Sequence, residues 1–477
     1  MRHPITYAKR PHLLLEASNV SWTICVPCAH PGVLTVRRAG GCRAAGPGWL
    51  LGVYSGGSRR LYWAAGDGIR HYARARSLTY LACRPFDGLS VRYPAVTMKR
   101  IFYLGAVMSV LFELANVYFI MPLPFSQRAR SIEIAYFLYS WRWGFRAIAG
   151  AFIVAGLPAA FRTAGWHRAF PVASLAVTAA AAYAANFAMA ADHMFLPAAA
   201  LRMQRVERNA VEPGRLVVGV EINGNARAYP VQFIGYHHQV RDVVGGTPIL
   251  VTFCTVCRTG RVFSPVVDGR VETFRLVGMD HFNAMFEDKS TGSWWRQATG
   301  DAVAGPKKGQ SLAELPSLQV ALSQWLLLHP TSLIMQADSA LRDKYSSSFD
   351  YETGVSRSAL TGTDTVSWHD KAWVVGVSVS GESKAYDWNR LRRERAINDE
   401  LGGRSIVVAL ASDGASFFAF ERPDSSTRFV LRGDSLVTLK DTYAFNGRGT
   451  SGTLKPVFAS QEFWHSWRTF HPDTKMY

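Results

Sequence analysis

With 477 residues, 48% of them hydrophobic and 18% charged, the chain is too long for one ordinary domain and too apolar to remain disordered. Its net charge of +18 raises nucleic acid or an anionic membrane surface as partners, but thirteen Lys or Arg and only three acids precede Met98, so ten of those charges fall in the first fifth of the chain. No helix-turn-helix, paired zinc-finger or aromatic RNA-binding pattern accompanies the surplus, so a nucleic-acid partner is set aside.

Residues 1–97 are rich in Arg, Gly and Ala and show neither sustained helical or strand periodicity nor a clear targeting pattern. Met98-Lys99-Arg100 then opens a long apolar run in the manner of a signal anchor. Met98 is therefore read as the true start and 1–97 as mis-called coding sequence, the alternative being a genuine basic extension. Cys25 and Cys28 form a CxxC within that extension and carry little weight there.

Residues 98–195 read as a membrane region with about three spans. The first, 101–122, has Glu113 as its only charge and is long enough for a hydrocarbon layer of ~30 Å. The second covers about 145–161 and the third about 171–191, whose small residues suit close helix packing in lipid. Basic residues flank the runs at Lys99/Arg100, Arg128/Arg130 and Arg162/Arg168; the alternative is a soluble helical domain. With Lys99 and Arg100 inside, three crossings of the inner (cytoplasmic) membrane put the C-terminal part outside, although Arg128, Arg130 and Arg142 then lie against the charge rule.

From about Arg215 short β-rich segments follow, separated by Asn-Gly, Gly-Gly and Asp-Gly turns: 216–222, 249–253, 261–267 and 271–277, with helical spacing returning over 311–329. The fold class is α+β, with N-terminal transmembrane helices followed by a β-rich domain. That domain repeats itself. Val217-Val218-Gly219-Val220 with Ala228-Tyr229 recurs as Val374-Val375-Gly376-Val377 with Ala385-Tyr386, and Gly245-Gly246 recurs as Gly402-Gly403, all at an offset of 157. Trp325 with His329-Pro330 has its counterpart in Trp467 with His471-Pro472. Two tandem related halves, 196–337 and 373–477, joined by a connector over 338–372, are the expectation.

The first half holds Tyr236-His237-His238 and Phe253-Cys254-Thr255-Val256-Cys257-Arg258-Thr259-Gly260, and from Met98 onward no other cysteine occurs. At the offset, His237, His238, Cys254 and Cys257 face Glu394, Arg395, Ala411 and Gly414. A fold that persists without these groups does not need them, which points to a function in the first half and a supporting role for the second.

The same residues resemble the DUF3179 family, a bacterial group of unassigned function. The likeness rests on Asn223-Gly224 with Ala228-Tyr229-Pro230, on His237 before Asp242 and Gly245-Gly246, and on Thr252 through Gly260 with Val262-Phe263. It continues through Asp288, Thr291, Ser293, Trp295, Gln297, Gly300 and Gly305-Pro306, and spans approximately 215–477. The chain looks like a membrane-anchored branch. Thr255-Val256 replaces the usual Pro-Leu, and His238 stands where an acid is commoner. The resemblance implies an extracytoplasmic domain, since many relatives look secreted or lipid-anchored. Relatives described as selenoproteins point toward redox chemistry. It supplies no substrate.

Three readings stay open for Cys254 and Cys257. In the first they cycle with a disulfide, with a nearby imidazole and Arg258 favouring the thiolate, as a possible thiol-disulfide oxidoreductase with an unknown redox partner. In the second, His237 joins them in an open site for a soft metal, copper(I) or zinc. In the third they fill a turn in a noncatalytic ligand- or partner-binding scaffold. As neighbours on a strand, His237 and His238 would point to opposite faces, so one of them, His237 by preference, is expected at the cysteines. Asp242 could orient an imidazole, though its counterpart Asp399 favours a turn role. His281 and Asn283 are candidates to line the same pocket, Trp295 a core or lid residue, and Gln297 a ligand contact beside Arg296.

Overall fold

The computed structural model describes residues 95–477 apart from 129 and 130, and before them the strand segments Trp22–Cys25, Thr35–Arg38, Gly48–Ser55, Ser58–Ala65 and Gly68–Ala73. Met1–Pro94 and Ala95–Tyr477 are two compact units. In the first, Trp22–Cys25 pairs with Thr35–Arg38, and the other three segments form an antiparallel meander. That corrects the expectation of no strand pattern: segments such as Ser58–Ala65 mix Arg, Leu, Tyr and Trp without clean alternation, so pairing is not legible from polarity. Cys28, and with it the Cys25/Cys28 pair, lies outside the described residues.

The second unit begins with helices α1 (Ala95–Tyr118), α2 (Ile132–Ser140), α3 (Arg142–Ala160) and α4 (Ala169–Tyr183). Three stretches, Val96–Tyr118, Arg142–Ala160 and Gly165–Ala188, are long and apolar enough to cross a membrane. Close helix contact falls between α1 and α3: a Cβ at Gly105 would stand 2.7 Å from the Ala149 carbonyl, and one at Gly156 2.5 Å from that of Met98. The Ala-rich third stretch is the least buried of the three, since small side chains permit close approach without compelling it. Glu113 of α1 holds Arg146 of α3 at 2.7 Å, and Arg146 reaches Asn186 at 2.7 Å, in the π-helical turn Ala184–Ala188 that follows α4. A charge in an apolar helix is held by a partner, and here one ion pair and an amide join three helices.

The segment between α1 and α3 lies on the β-rich domain. Ile120 accepts the Met279 N–H at 2.8 Å, and Tyr136 and Tyr139 pack their rings 5.1 and 5.3 Å from Trp294.

The domain itself is built of short sheets. A five-stranded sheet runs Leu318–Ala321, Leu216–Ile222, Asn225–Pro230, Leu333–Met335, Met203–Gln204. A three-stranded sheet holds Gln239–Val244, Thr247–Cys254 and Thr259–Phe263, the last two forming what is here called the cysteine hairpin. A four-stranded sheet begins with Phe274–Asp280 and Asn283–Asp288, the cover hairpin. Helical spacing over 311–329 is realised only in Leu322–Leu328, because Leu318–Ala321 pairs with Leu216–Gly219 and sheet pairing overrides the local pattern.

C-terminal to the connector, Trp373–Val379, Glu382–Asp387, helix Trp388–Glu394, Ala396–Leu401, Arg404–Leu410 and Phe417–Glu421 follow in the order of strand, strand, helix, strand, strand, strand seen from Leu216 to Phe263. The hydrogen bond from Phe253 N–H to the His238 carbonyl (3.0 Å) has its counterpart from Leu410 to Arg395 (2.9 Å), at the offset of 157. Gly219 lies under the Trp325 ring and Gly376 under Trp467, where a Cβ would come within 2.3 and 2.1 Å of ring carbons. Each tryptophan packs on its histidine, His329 tilted at 4.1 Å and His471 stacked at 3.7 Å between centroids.

Candidate functional site

Cys254 ends its strand and Thr259 opens the next, so the first thiol stands at the start of the loop Thr255–Arg258 and the second, Cys257, lies within it. Arg258 takes φ +58° to bring the chain back into register. Both sulfurs are fully buried and free, within an apolar cluster that includes Phe263, Phe274, Phe286 and Trp295.

The loop is held from outside by its carbonyls. Tyr351 of the connector donates its hydroxyl to the Thr255 carbonyl at 3.0 Å. Lys371 Nζ donates to the Val256 carbonyl at 2.8 Å, where His465 Nε2 also approaches at 3.2 Å. The Phe463 N–H donates to the Cys257 carbonyl at 2.9 Å. The backbone N–H groups of Ala284, Cys257 and Val256 favour the thiolate of Cys254.

Burial works against a charge on Cys254, but hydrogen bonds from the Cys257 thiol and from those amides outweigh it and hold Cys254 below the ordinary cysteine range. Cys257 moves the other way: burial first, and then its proton's bond to Cys254, keep it well above its usual value, while the Ser466 hydroxyl and Lys371 pull it down. Lys371 is itself lowered by burial, the two sulfurs opposing that, and Nζ makes its contacts to the carbonyls of Val256 and Leu360. His465 is pushed down to about 4 by burial and then by Lys371, so its imidazole is neutral near pH 7.

Above the sulfurs lies the tip of the cover hairpin. Asp280 pairs with Asn283, leaving His281 and Phe282 as a two-residue turn with φ of +51° and +65°, a conformation usually given to Asn-Gly. Phe282 packs against the thiol cluster, its ring edge-on to His465 at 5.9 Å, and its carbonyl lies 3.5 Å from Cys254 Sγ. This carbonyl favours the protonated thiol, against the amides around it.

The expected imidazoles are elsewhere. His237 is the last residue of the helix Val231–His237 and His238 its left-handed cap at φ +60°, so the pair is not on a strand and the alternation argument fails. His237 spends both ring nitrogens, on the Leu196 carbonyl at 2.6 Å and the Tyr345 hydroxyl at 2.7 Å. His238 holds the Tyr236 carbonyl at 3.0 Å and packs on Phe195 at 4.5 Å. Among the described residues no three His, Cys, Asp or Glu side chains converge as metal ligands, so the ligand set His237, Cys254, Cys257 for copper or zinc is not assembled.

Arg258 also differs from expectation. It points away from the sulfurs, donating to Gln461 at 2.8 Å and to the carbonyls of Tyr351 and Glu352 at 2.9 and 3.2 Å, with its guanidinium 3.7 Å above the Trp373 ring. It clamps the loop to the connector. Asp242 orients no imidazole; it accepts from Tyr229 at 2.7 Å and pairs with Arg227, as Asp399 accepts from Tyr386 at 2.9 Å and pairs with Lys384. His281 bonds Asp280 at 2.6 Å beside the thiol cover. Asn283 and Gln297 are fully buried and bond each other at 2.9 Å, and Gln297 reaches Thr252 and the Thr259 carbonyl at 2.9 Å, so both brace the cysteine hairpin from behind and offer no ligand contact. Trp295 is core, donating to Asp288 at 2.8 Å. Arg296 is paired with Asp280.

Sequence reasoning missed Tyr351, Lys371, His465 and Ser466, all beyond residue 337. The offset of 157 was used to find residues present after 196 and absent after 373, not the reverse. Aligning Trp467 with Trp325 sets His465 against Ser323, Ser466 against Gln324 and Glu462 against Val320. Read in that direction, the sequence marks His465 and Ser466 as residues without a counterpart.

No curated protein and no solved structure matches the chain. A family model described as a protein of unknown function matches residues 198–474, more than half of the chain, and the chain therefore belongs to the DUF3179 family.

Proposed function

We propose that this protein is a three-span inner-membrane protein whose duplicated extracytoplasmic domain carries a dithiol–disulfide centre at Cys254 and Cys257. One observation carries the chemistry: two free, buried thiols share one short loop whose carbonyls at Thr255, Val256 and Cys257 are each bound from outside, by Tyr351, Lys371, His465 and Phe463. Two thiols pushed apart in acidity divide the roles, Cys254 as the attacking thiolate and Cys257 as the proton-bearing resolving thiol. Lys371 adds a half-buried cation whose close contacts are carbonyls, which favours negative charge on sulfur. Because Phe282 covers the pair, exchange requires the turn His281-Phe282 to move.

The orientation is supported by Lys99, Arg100, Arg162 and Arg168, which three crossings would place on the face opposite the β-rich domain. The match of strand order and hydrogen bonding at one offset supports duplication.

A second reading, a ligand-binding scaffold, draws on a groove of about 1150 Å³ between the segment after α4 and the strand Gln239–Val244. Gln239 lines it, nearly buried, with an Oε1 that has no hydrogen-bond partner among the described residues. Thiol titration of the purified protein, reduced and then treated with 2-hydroxyethyl disulfide, separates the two. Loss of two thiols with an internal Cys254–Cys257 disulfide supports the redox centre. Thiols that stay unreactive until unfolding, with Cys254→Ala and Cys257→Ala variants fully functional in cells, overturn it in favour of the scaffold. Metal analysis of the same sample completes the test, since a stoichiometric bound ion would displace the dithiol reading.

A further inference from the structure

The strand Gln239–Val244 is the free edge of its three-stranded sheet, since only Thr247–Cys254 pairs with it. The bond from the Phe253 N–H to the His238 carbonyl sets the phase of that ladder. Val240, Asp242 and Val244 turn their backbone groups toward Thr247–Cys254, and Gln239, Arg241 and Val243 turn theirs outward. Pro248, which has no N–H to give, stands opposite Val243, as this phase allows. The Val243 N–H meets Asp242 Oδ1 at 2.7 Å, and the other outward N–H and C=O groups have no partner among the described residues. The groove of about 1150 Å³ runs along this edge and not over a face of the sheet. All residues from Gln239 to Val243 line it, whereas alternate side chains of a strand point to opposite faces. Its far wall is fixed in place, the Leu196 carbonyl held by His237 at 2.6 Å and the Ala199 N–H by Asp338 at 3.0 Å. Gln239 donates its Nε2 to the Phe274 carbonyl at 2.9 Å, which leaves Oε1, on a side chain 8% exposed, as an acceptor without a donor.

We propose that this groove takes an extended polypeptide segment of a partner protein as an added strand along Gln239–Val243, with a donor on Gln239 Oε1 and an acidic side chain at Arg241. This deepens the binding role of the groove given above and does not depend on the dithiol centre. The occupant follows from the spacing. Donors and acceptors that recur every second residue, about 7 Å apart, are matched by another extended backbone and not by a compact small molecule. The edge carries neither a proline nor a bulge, the usual devices against such pairing. Val243 and Val271, both on the groove, are more than half exposed and offer apolar contact to alternate side chains of the added strand. The charges favour an acidic segment. Asp242 is paired with Arg227, and Arg275 with Asp192 and Glu287, while Arg241 donates to Thr273 Oγ1 at 3.1 Å and has no ion pair among the described residues. Glu272, the remaining acid of the groove, is nearly buried and accepts the Thr273 N–H at 2.6 Å. Phe195, Phe274 and Leu276 line the groove and also pack in the cluster around Cys254, so the two sites share a wall.

The experiment titrates the full chain in detergent against a short fluorescent peptide of alternating Val and Glu, followed by anisotropy. Two twins of the peptide carry N-methyl groups on one or the other set of alternate residues. An added strand pairs through one of its edges, so one twin should bind about a hundredfold more weakly and the other like the parent, two lost hydrogen bonds at about tenfold each. Gln239→Leu should weaken the parent about tenfold. Arg241→Glu should prefer a Val-Lys peptide over the Val-Glu one, a gain that a misfolded variant would not show. Equal binding of the parent and both twins overturns strand addition and leaves a groove that holds ligands by apolar contact. No saturable binding of any of these peptides also overturns it. A dimer in light scattering that the peptide does not dissolve, and that Arg241→Glu does, overturns it by giving the edge to a second copy of this chain. None of these outcomes bears on Cys254 and Cys257, whose chemistry the thiol titration decides.

Discussion

Gln127 accepts the backbone N–H of Phe282 through its side-chain oxygen at 3.1 Å, tying the segment that leaves the first apolar helix to the residue covering Cys254. Gln127 is nearly buried and its amide nitrogen is anchored on the carbonyls of Phe119 and Met121, so the contact is held from both ends. The cover therefore rests on the segment that follows the first apolar helix as well as on its own hairpin.

Gln127→Ala is expected to loosen that cover and speed the labelling of Cys254 by a small alkylating reagent about tenfold, equivalent to weakening the closed state by about 1.4 kcal/mol. The double change His281→Asn with Phe282→Gly should go further, because Asn-Gly suits the turn while the covering ring is lost. Labelling rates at fixed pH, with the thermal midpoint followed in parallel, check both. Unchanged rates in the double variant would mean that Phe282 does not control access.

The pH dependence of stability follows from two buried imidazoles. His238 and His465 are each pushed down to about 4, burial being the first cause in both. Near pH 5 the unfolded chain holds protons on these groups and the folded chain does not. Stability is therefore fully present above about pH 6.5 and falls as pH drops toward 4, by up to about 3 kcal/mol per group. Urea midpoints at pH 7, 5.5 and 4.5 should show the decline, and His238→Asn, which tolerates the left-handed cap, should flatten part of it.

His237→Ala separates a structural from a chemical role. Removing the ring leaves the Leu196 carbonyl and the Tyr345 hydroxyl without their shared partner, at a cost of about 1–3 kcal/mol. Its effect on the alkylation pH profile of Cys254 should be nil, whereas Lys371→Met should shift that profile upward, because a cation beside the sulfurs is lost. A shifted profile in His237→Ala would restore that residue to the thiol site.

Gly219→Ala and Gly376→Ala should each destabilise the domain by about 3 kcal/mol, the upper end of ordinary overpacking, since a Cβ meets a buried tryptophan ring in both. Gly381→Ala provides the contrast. Nothing lies within 4 Å of its added Cβ, and only its φ of +82° opposes the change, costing about 1 kcal/mol. Denaturant midpoints of the three variants measure the difference.

The amino-acid sequence alone determined the features that depend on neighbours along the chain: three apolar helices, the turn-bounded strands from residue 216 onward, a thiol pair at the end of a strand, and membership of the family. Hydropathy and turn chemistry act over a few residues, so they are visible without coordinates. Tertiary structure decided which side chains meet those thiols. A left-handed cap at His238 turned one histidine pair toward Leu196 and Phe195, while a backbone hydrogen bond from Phe463 to the Cys257 carbonyl brings His465 and Ser466 to the cysteine loop from more than two hundred residues away. Contacts of that range depend on packing between distant strands, which no local pattern encodes.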